Sequence, residues 1–321
     1  MKITFLGTSS GAPTRQRNVS ATAVQPERGK PWVLVDCGEA TQHQLLRTPL
    51  SPLRLEAILI THIHGDHCYG LPGLLASCQL NGRKTPLTLV GPVAVWDYLQ
   101  AVFRFTELYL DYPLEFVPVD GGLDITAAGL RIGAAPLSHR TECWGYRLTE
   151  ADIPLQLDHE RLQAEGIAPG PDYARLQHGE DLQLADGRRL YSADFTRPSR
   201  EPRVAVIAGD NDRPDLLGPL CEGANLLVHE ATYTADVLEQ VGPEPQHSSA
   251  ERVARFAEQA GIPNLILTHF SPRYLAKARR RGDRLVGEIR TEARRHFHGQ
   301  LQLAEDLAAW LISRDGMLLP L

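Results

Sequence analysis

The chain has 321 residues, 43% of them apolar and 22% charged, with a formal net charge of −6. This is the composition of an ordinary globular protein, and no apolar run approaches the roughly 20 residues that a membrane helix needs. An acidic chain has no general attraction for nucleic acid, so any RNA contact has to come from a local basic patch.

Residues 2–6 form a first short apolar run, too brief before Gly7 to be read as a secretory signal. Further runs rich in β-branched residues follow at 32–35, 57–60, 87–90, 132–137, 204–208, 226–228 and 265–267, and most of them lead into a Gly, Asp or His. Such runs read as strands buried on both faces. Helices are expected between them at 71–79, 94–105, 249–260 and 284–297. The third opens on Ser249 and places Val253, Phe256, Ala257 and Ala260 on one side, the pattern of a capped amphipathic helix. Strands punctuated by helices along the whole chain indicate one α/β layered domain over residues 1–321. One stretch breaks the rhythm. From about 151 to 201 the sequence is polar and interrupted by Pro and Gly, and it reads as an inserted arm with a functional role. Five widely spaced cysteines, with no Cys-x-x-Cys pair, suit reduced thiols in the cytoplasm.

The strongest chemical signal is Thr61-His62-Ile63-His64-Gly65-Asp66-His67, directly after the run 57–60. Three imidazoles and a carboxylate crowded into six residues would go unsatisfied in an apolar core. Around a divalent cation they become complementary, because neutral imidazole nitrogen and carboxylate oxygen are preferred donors outside thiolate sites. One loop cannot complete two coordination spheres. His139, Asp210 and His269 each stand just beyond the end of an expected strand, which is where ligands gather on such sheets.

The His-x-His-x-Asp-His cluster with a later His, Asp and His resembles the metallo-β-lactamase fold. That resemblance implies an αββα sandwich of two mixed β-sheets with outer helices, a protruding arm and a binuclear metal site at one edge. The match narrows to the ribonuclease Z family, including its bacterial form ribonuclease BN, along essentially the full chain. It is carried by residues 5–14 (FLGTSSGAPT), 17–20 (RNVS), 36–46 (DCGEATQHQLL), 61–75, 229–233 (HEATY), 247–249 (HSS) and 267–274 (LTHFSPRY). By this resemblance His62, His64 and His139 would hold one metal, Asp66, His67 and His269 the other, and Asp210 would bridge them. The metals would be Zn²⁺, with Mn²⁺ or Co²⁺ acceptable to the same donors. Two cations about 3.5–4 Å apart can lower the pKa of a shared water and clamp both oxygens of a phosphodiester. Asp66 would also orient the nucleophile, His247 would protonate the departing 3′-oxygen, and Glu230 would fix the His247 tautomer. Arg273 and Ser248 would contact substrate. The implied activity is endonucleolytic removal of the 3′ trailer from precursor tRNA by a homodimer. The alternative is a hydrolase of the same fold acting on a small phosphodiester, ester or lactone.

Two departures from the family pattern bear on the substrate. The chain reads Gly209-Asp210-Asn211 where the family has Gly-Asp-Thr, so the bonds that orient Asp210 are expected to differ. The arm, which contacts tRNA in the family and often carries lysines, has none here. Residues 151–200 hold six arginines against nine acidic residues, a poor surface for phosphates. The positive charge lies between Arg273 and Arg295, with nine basic residues and three acidic ones, starting four residues after His269.

Overall fold

A computed structural model describes residues 1–27, 29–184 and 186–321. They form two compact units, Met1–Thr149 with Arg203–Leu321, and Glu150–Pro202.

The larger unit contains two mixed sheets. Among the described residues, the first has eight strands in the order Leu318–Pro320, Ala309–Ile312, Lys2–Gly7, Ala21–Gln25, Trp32–Val35, Leu55–Leu59, Leu87–Gly91 and Leu114–Pro118. The second has seven, in the order Gln300–Leu303, Asn264–Thr268, Leu226–Glu230, Val204–Ala208, Cys143–Glu150, Leu130–Leu137 and Ile125–Ala127.

Strand alternation sorts the apolar side chains into layers. Ile3, Phe5, Val33, Val35 and Leu59 of the first sheet share one buried cluster with Tyr146, Leu148, Ala205, Ile207, Val228 and Ile266 of the second. Their sequence neighbours face outward under helices. Leu34 and Ile58 pack with Leu71, Leu74 and Leu99, while Val206, Leu227 and Leu265 pack with Val253, Ala257 and Ile289. Each Val, Leu, Ile or Phe among them, fully buried, contributes about 1.5–3 kcal/mol. Because both faces of each sheet are covered, the central strands read as unbroken apolar runs.

Among the described residues, the helices of eight residues or more are Leu71–Leu80, Val93–Thr106, Ala250–Gln259 and Val286–Ala293, the third capped by the Ser249 side chain, which accepts from Arg252 N at 3.2 Å. The last is shorter than the 284–297 expected. Leu285 is extended (φ −116°, ψ 142°), and Arg284–Leu285 pairs as a strand with Tyr274–Leu275. Glu288 accepts from the Leu285 N–H at 2.7 Å and sets the helix start there. No helix of the described residues is long and apolar enough to cross a membrane.

Glu150–Pro202 is more ordered than its polar sequence announces. Leu157, Leu162, Ile167, Tyr173, Leu176, Leu182, Leu190 and Phe195 form a separate buried cluster. Helices His159–Ala164 and Pro171–Gln177 and two short antiparallel strand pairs surround it. These apolar residues are spread too thinly for periodicity to show them.

Candidate metal centre

Five strands of the two sheets end at one place, and each delivers a polar side chain there. Trp32–Val35 leads to Asp36, Leu55–Leu59 to His62 and His64, Leu130–Leu137 to His139, Val204–Ala208 to Asp210, and Asn264–Thr268 to His269. A single helical turn, Gly65–Cys68, then presents Asp66 and His67. This turn sits directly on the backbone after Asp36. Cys37 N donates to His67 O at 2.8 Å and Gly70 N to Cys37 O at 2.9 Å. A Cβ on Gly38 would lie 2.3 Å from Asp66 O, so the approach requires glycine.

The ring nitrogens converge in two groups. His62 Nε2 and His139 Nε2 lie 3.0 and 3.1 Å from His64 Nδ1, and both lie 3.7–3.8 Å from Asp210 Oδ2. On the other side His67 Nε2 and His269 Nε2 are 3.2 Å apart, and Asp66 Oδ2 lies 3.6 and 3.3 Å from them. Asp210 Oδ1 faces this second group, at 3.5 Å from His67 and 3.4 Å from His269. Within each group the donor atoms lie within 4.8 Å of one another. Hydrogen bonds alone cannot satisfy three converging imidazole nitrogens, whereas a divalent cation takes all three lone pairs. The residues therefore fit a metal pair, with one oxygen of Asp210 turned to each position.

The far side of four imidazoles is tied down, which aims the inner nitrogen. His62 Nδ1 meets Thr61 Oγ1 at 3.0 Å, His67 Nδ1 meets Asp36 Oδ2 at 2.7 Å, His139 Nδ1 meets Gln246 O at 3.0 Å, and His269 Nδ1 meets Thr232 Oγ1 at 3.0 Å. Asp36, Gln246 and His269 hold left-handed backbone (φ 59°, 52° and 58°), a strain of about 1–3 kcal/mol each. Gly11 N donates to Asp66 Oδ2 at 2.6 Å. The loop carrying Gly11 is in turn anchored by Asp306, which accepts from Thr8 Oγ1 at 2.7 Å, Asn18 N at 2.6 Å and Gln44 Nε2 at 2.8 Å.

Charge is arranged to suit cations. Burial lowers His62 and His139 below the ordinary histidine value, which favours the neutral, ligating form. Burial would also lower His67, but Asp36, Asp210 and Asp66 outweigh it and hold the ring well above that value in the metal-free protein. Burial opposes ionisation of Asp66 and Asp210, yet the surrounding imidazoles keep both carboxyls below the usual range. The site thus gathers the carboxylates of Asp36, Asp66 and Asp210, negative charge that bound dications would offset.

His247 stands beside both groups, its Nδ1 3.1 Å from Glu230 Oε1 and 3.8 Å from Asp210 Oδ2. Burial would lower it, but the charge and hydrogen bond of Glu230, with Asp210 beyond, push it up to about 9. Glu230 is buried and holds its place by accepting from Ser248 N at 3.0 Å, Asn211 N at 3.2 Å and Thr232 N at 3.1 Å. Arg273 is exposed, with its guanidinium 5.0 Å over the Tyr233 ring, and that ring is 6.0 Å from His247.

Ser248 corrects the expectation of substrate contact. It is fully buried and its hydroxyl donates to Asn211 O at 2.6 Å, so it braces the segment behind Asp210 and does not face solvent. Asn211 itself uses its side chain to accept from Ser138 N at 3.3 Å and Arg213 N at 3.1 Å, linking the loop of His139 to that of Asp210. Asp36, Thr61, Thr232 and the Gly11 amide take supporting roles that their sequence context does not announce. Asp36 alone carries a usable signal, since it follows its strand as the ligands follow theirs.

The profile of the metallo-beta-lactamase superfamily matches residues 14–140. Over 317 residues the chain is 47% identical to the ribonuclease Z of Marinobacter nauticus, covering 98% of this chain and 97% of that one. It is 48% identical over 320 residues to the ribonuclease Z of Pseudomonas putida, covering 100% and 99%. Among solved structures, the short form of human tRNase Z superposes with a TM-score of 0.65 at 26% identity, covering 96% of this chain and 98% of the human one.

Proposed function

This chain belongs to the ribonuclease Z family of the metallo-β-lactamase superfamily, metal-dependent endoribonucleases of tRNA 3′-end processing, and on that premise we propose how its residues share the reaction. His62, His64 and His139 would hold one divalent ion, Asp66, His67 and His269 would hold a second, and Asp210 stands between the two groups with one oxygen toward each. When bound, the pair supplies a water of lowered pKa and positive charge against the phosphodiester oxygens. Asp66, ionised and fixed by the Gly11 amide, orients the attacking water. His247 gives its Nε2 proton to the departing 3′-oxygen of the tRNA, while Glu230 holds the Nδ1–H and stabilises the cationic ring. Arg273, carried on Tyr233, pairs with a phosphate oxygen.

The observation that carries this reading is Asp210, whose two oxygens address two separate donor groups. Imidazole and carboxylate donors without thiolate favour Zn²⁺ in both positions. Five free cysteines, all buried, suit a cytoplasmic protein. Leu80 and Phe105, exposed on the helices Leu71–Leu80 and Val93–Thr106, and Leu46, exposed in a turn, offer apolar area to a second copy in a homodimer.

The test is cleavage of a labelled precursor tRNA, with elemental analysis of the same preparation. Cleavage at the 3′ side, close to two metals per chain, and loss of both activity and metal on chelation are expected. Full turnover after exhaustive chelation would refute the binuclear reading.

A further inference from the structure

We propose that the loop 276–283 is an RNA-backbone clamp, and that it takes the phosphate contacts which most arginines of Glu150–Pro202 are not free to make. The inference rests on the tRNA-cleaving function and names the surface that holds that substrate.

The loop is rooted at the metal centre. Tyr274 and Leu275 enter it, Arg284 and Leu285 leave it, and the two pairs are bonded as parallel strands. The Tyr274 hydroxyl accepts from Thr234 N at 2.7 Å, and Arg284 donates to Asp236 at 2.7 Å and to Thr234 Oγ1 at 2.7 Å. These partners directly follow Glu230, Thr232 and Tyr233, the segment that supports His247, His269 and Arg273. The base of the loop therefore shares its scaffold with the groups around the scissile phosphate.

Its charges are unspent. Lys277, Arg279, Arg280 and Arg281 are all exposed. The nearby carboxylate, Asp283, is occupied by the backbone amides of Arg279 and Arg280 at 2.7 and 3.0 Å, which shapes the loop, and it reaches the Arg280 side chain at 3.3 Å. Among the described residues, the side chains of Lys277, Arg279 and Arg281 have no hydrogen bond or ion pair. Gly282, at φ 92°, turns the chain back without a side chain to bury these cations.

In Glu150–Pro202 five of the six arginines are engaged, and Arg197 is the exposed exception. Arg175 is paired with Glu180 and Asp172, Arg188 with Asp186 and Glu165, Arg189 with Asp181, and Arg200 with Glu150. Arg161 donates to Asp194 O and lies over Phe195. A phosphate would have to displace a carboxylate to reach most of these arginines, within a unit that carries more acid than base. The loop asks for no such exchange.

The test compares the triple variant K277Q/R279Q/R281Q with the arm variant R175Q/R188Q/R189Q. Precursor tRNA binding is measured across a salt series, with bis(nitrophenyl) phosphate hydrolysis as the measure of an intact centre. The loop variant should bind the precursor more weakly. Its slope of log affinity against log salt should shrink by about 0.7–0.9 for each phosphate it no longer neutralises. Hydrolysis of the small diester should be unchanged in both variants, and the arm variant should keep most of the wild-type slope. If wild-type protein cleaves the precursor while the loop variant keeps its affinity and slope, or if the arm variant is weakened more, the inference is overturned alone. If wild-type protein hydrolyses the small diester but neither binds nor cleaves the precursor, the functional reading falls with it.

Discussion

Glu230→Gln should move the alkaline limb of the pH–rate profile toward acid. His247 has to be protonated to serve the leaving oxygen, and its affinity for that proton is set by Glu230 at 3.1 Å against the cost of burial. With Glu230 ionised the ring is pushed up to about 9 in the metal-free protein. A neutral amide removes the largest influence that raises the ring and leaves burial and His67 opposed by Asp210, so its affinity for the proton falls. Above its own limb each enzyme loses about tenfold in turnover per pH unit, so the variant falls furthest behind wild type at alkaline pH. Bound cations lower the limb in both proteins, so the readout is the displacement between two profiles taken with the same metal. The substitution also turns an amide NH₂ toward either the Thr232 donors or those of Ser248 and Asn211. A stability loss of about 1–3 kcal/mol is therefore expected and is read separately by thermal melting. His247→Ala is the companion variant. It should slow precursor cleavage by about 10²–10⁴ and affect a nitrophenyl diester far less, because nitrophenolate leaves without a proton. Superimposable profiles for Glu230→Gln, together with equal losses on both substrates for His247→Ala, would refute the proton-donor argument.

Asp66→Ala should abolish nearly all turnover while precursor affinity, measured by filter binding, stays within a few-fold of wild type; a parallel fall in both would contradict its place at the nucleophile. Asp36→Asn touches no donor atom of the metal groups, yet it removes the carboxylate 2.7 Å behind His67 and should weaken metal affinity by about 10–100-fold in a competition titration.

Much of the centre could be read from the sequence because its residues are placed by strand ends. His62, His64, Asp66, His67, His139, Asp210 and His269 all fall where an apolar run gives way to a polar residue, and the fold brings them together. Strands such as Ala21–Gln25, Leu114–Pro118 and Ala309–Ile312 are short or interrupted by polar residues, and they take their place from pairing with distant neighbours rather than from their own pattern. The supporting bonds were hidden for a related reason. Gln246 holds His139 through its backbone carbonyl and Gly11 holds Asp66 through its amide, and no side-chain identity announces either bond. Ser248 shows the opposite error. It sits beside a functional histidine in sequence, but its side chain is buried and its hydroxyl donates to Asn211 O.

The pairing of Lys2–Gly7 with Ala309–Ile312 has a consequence for the order of assembly during synthesis. One edge of the first strand waits for residues about 300 positions later in the chain, and Thr8, Asn18 and Gln44 wait likewise for their anchor Asp306. At ribosomal speeds of about 5–20 residues per second, about 300 residues take roughly 15–60 s. The histidine cluster at 62–67 emerges early in that interval, but His269 and the brace behind the Gly11 loop arrive only near its close. The cluster therefore leaves the ribosome as a partial chelator, and the complete two-group cage forms only once the chain has been made past His269.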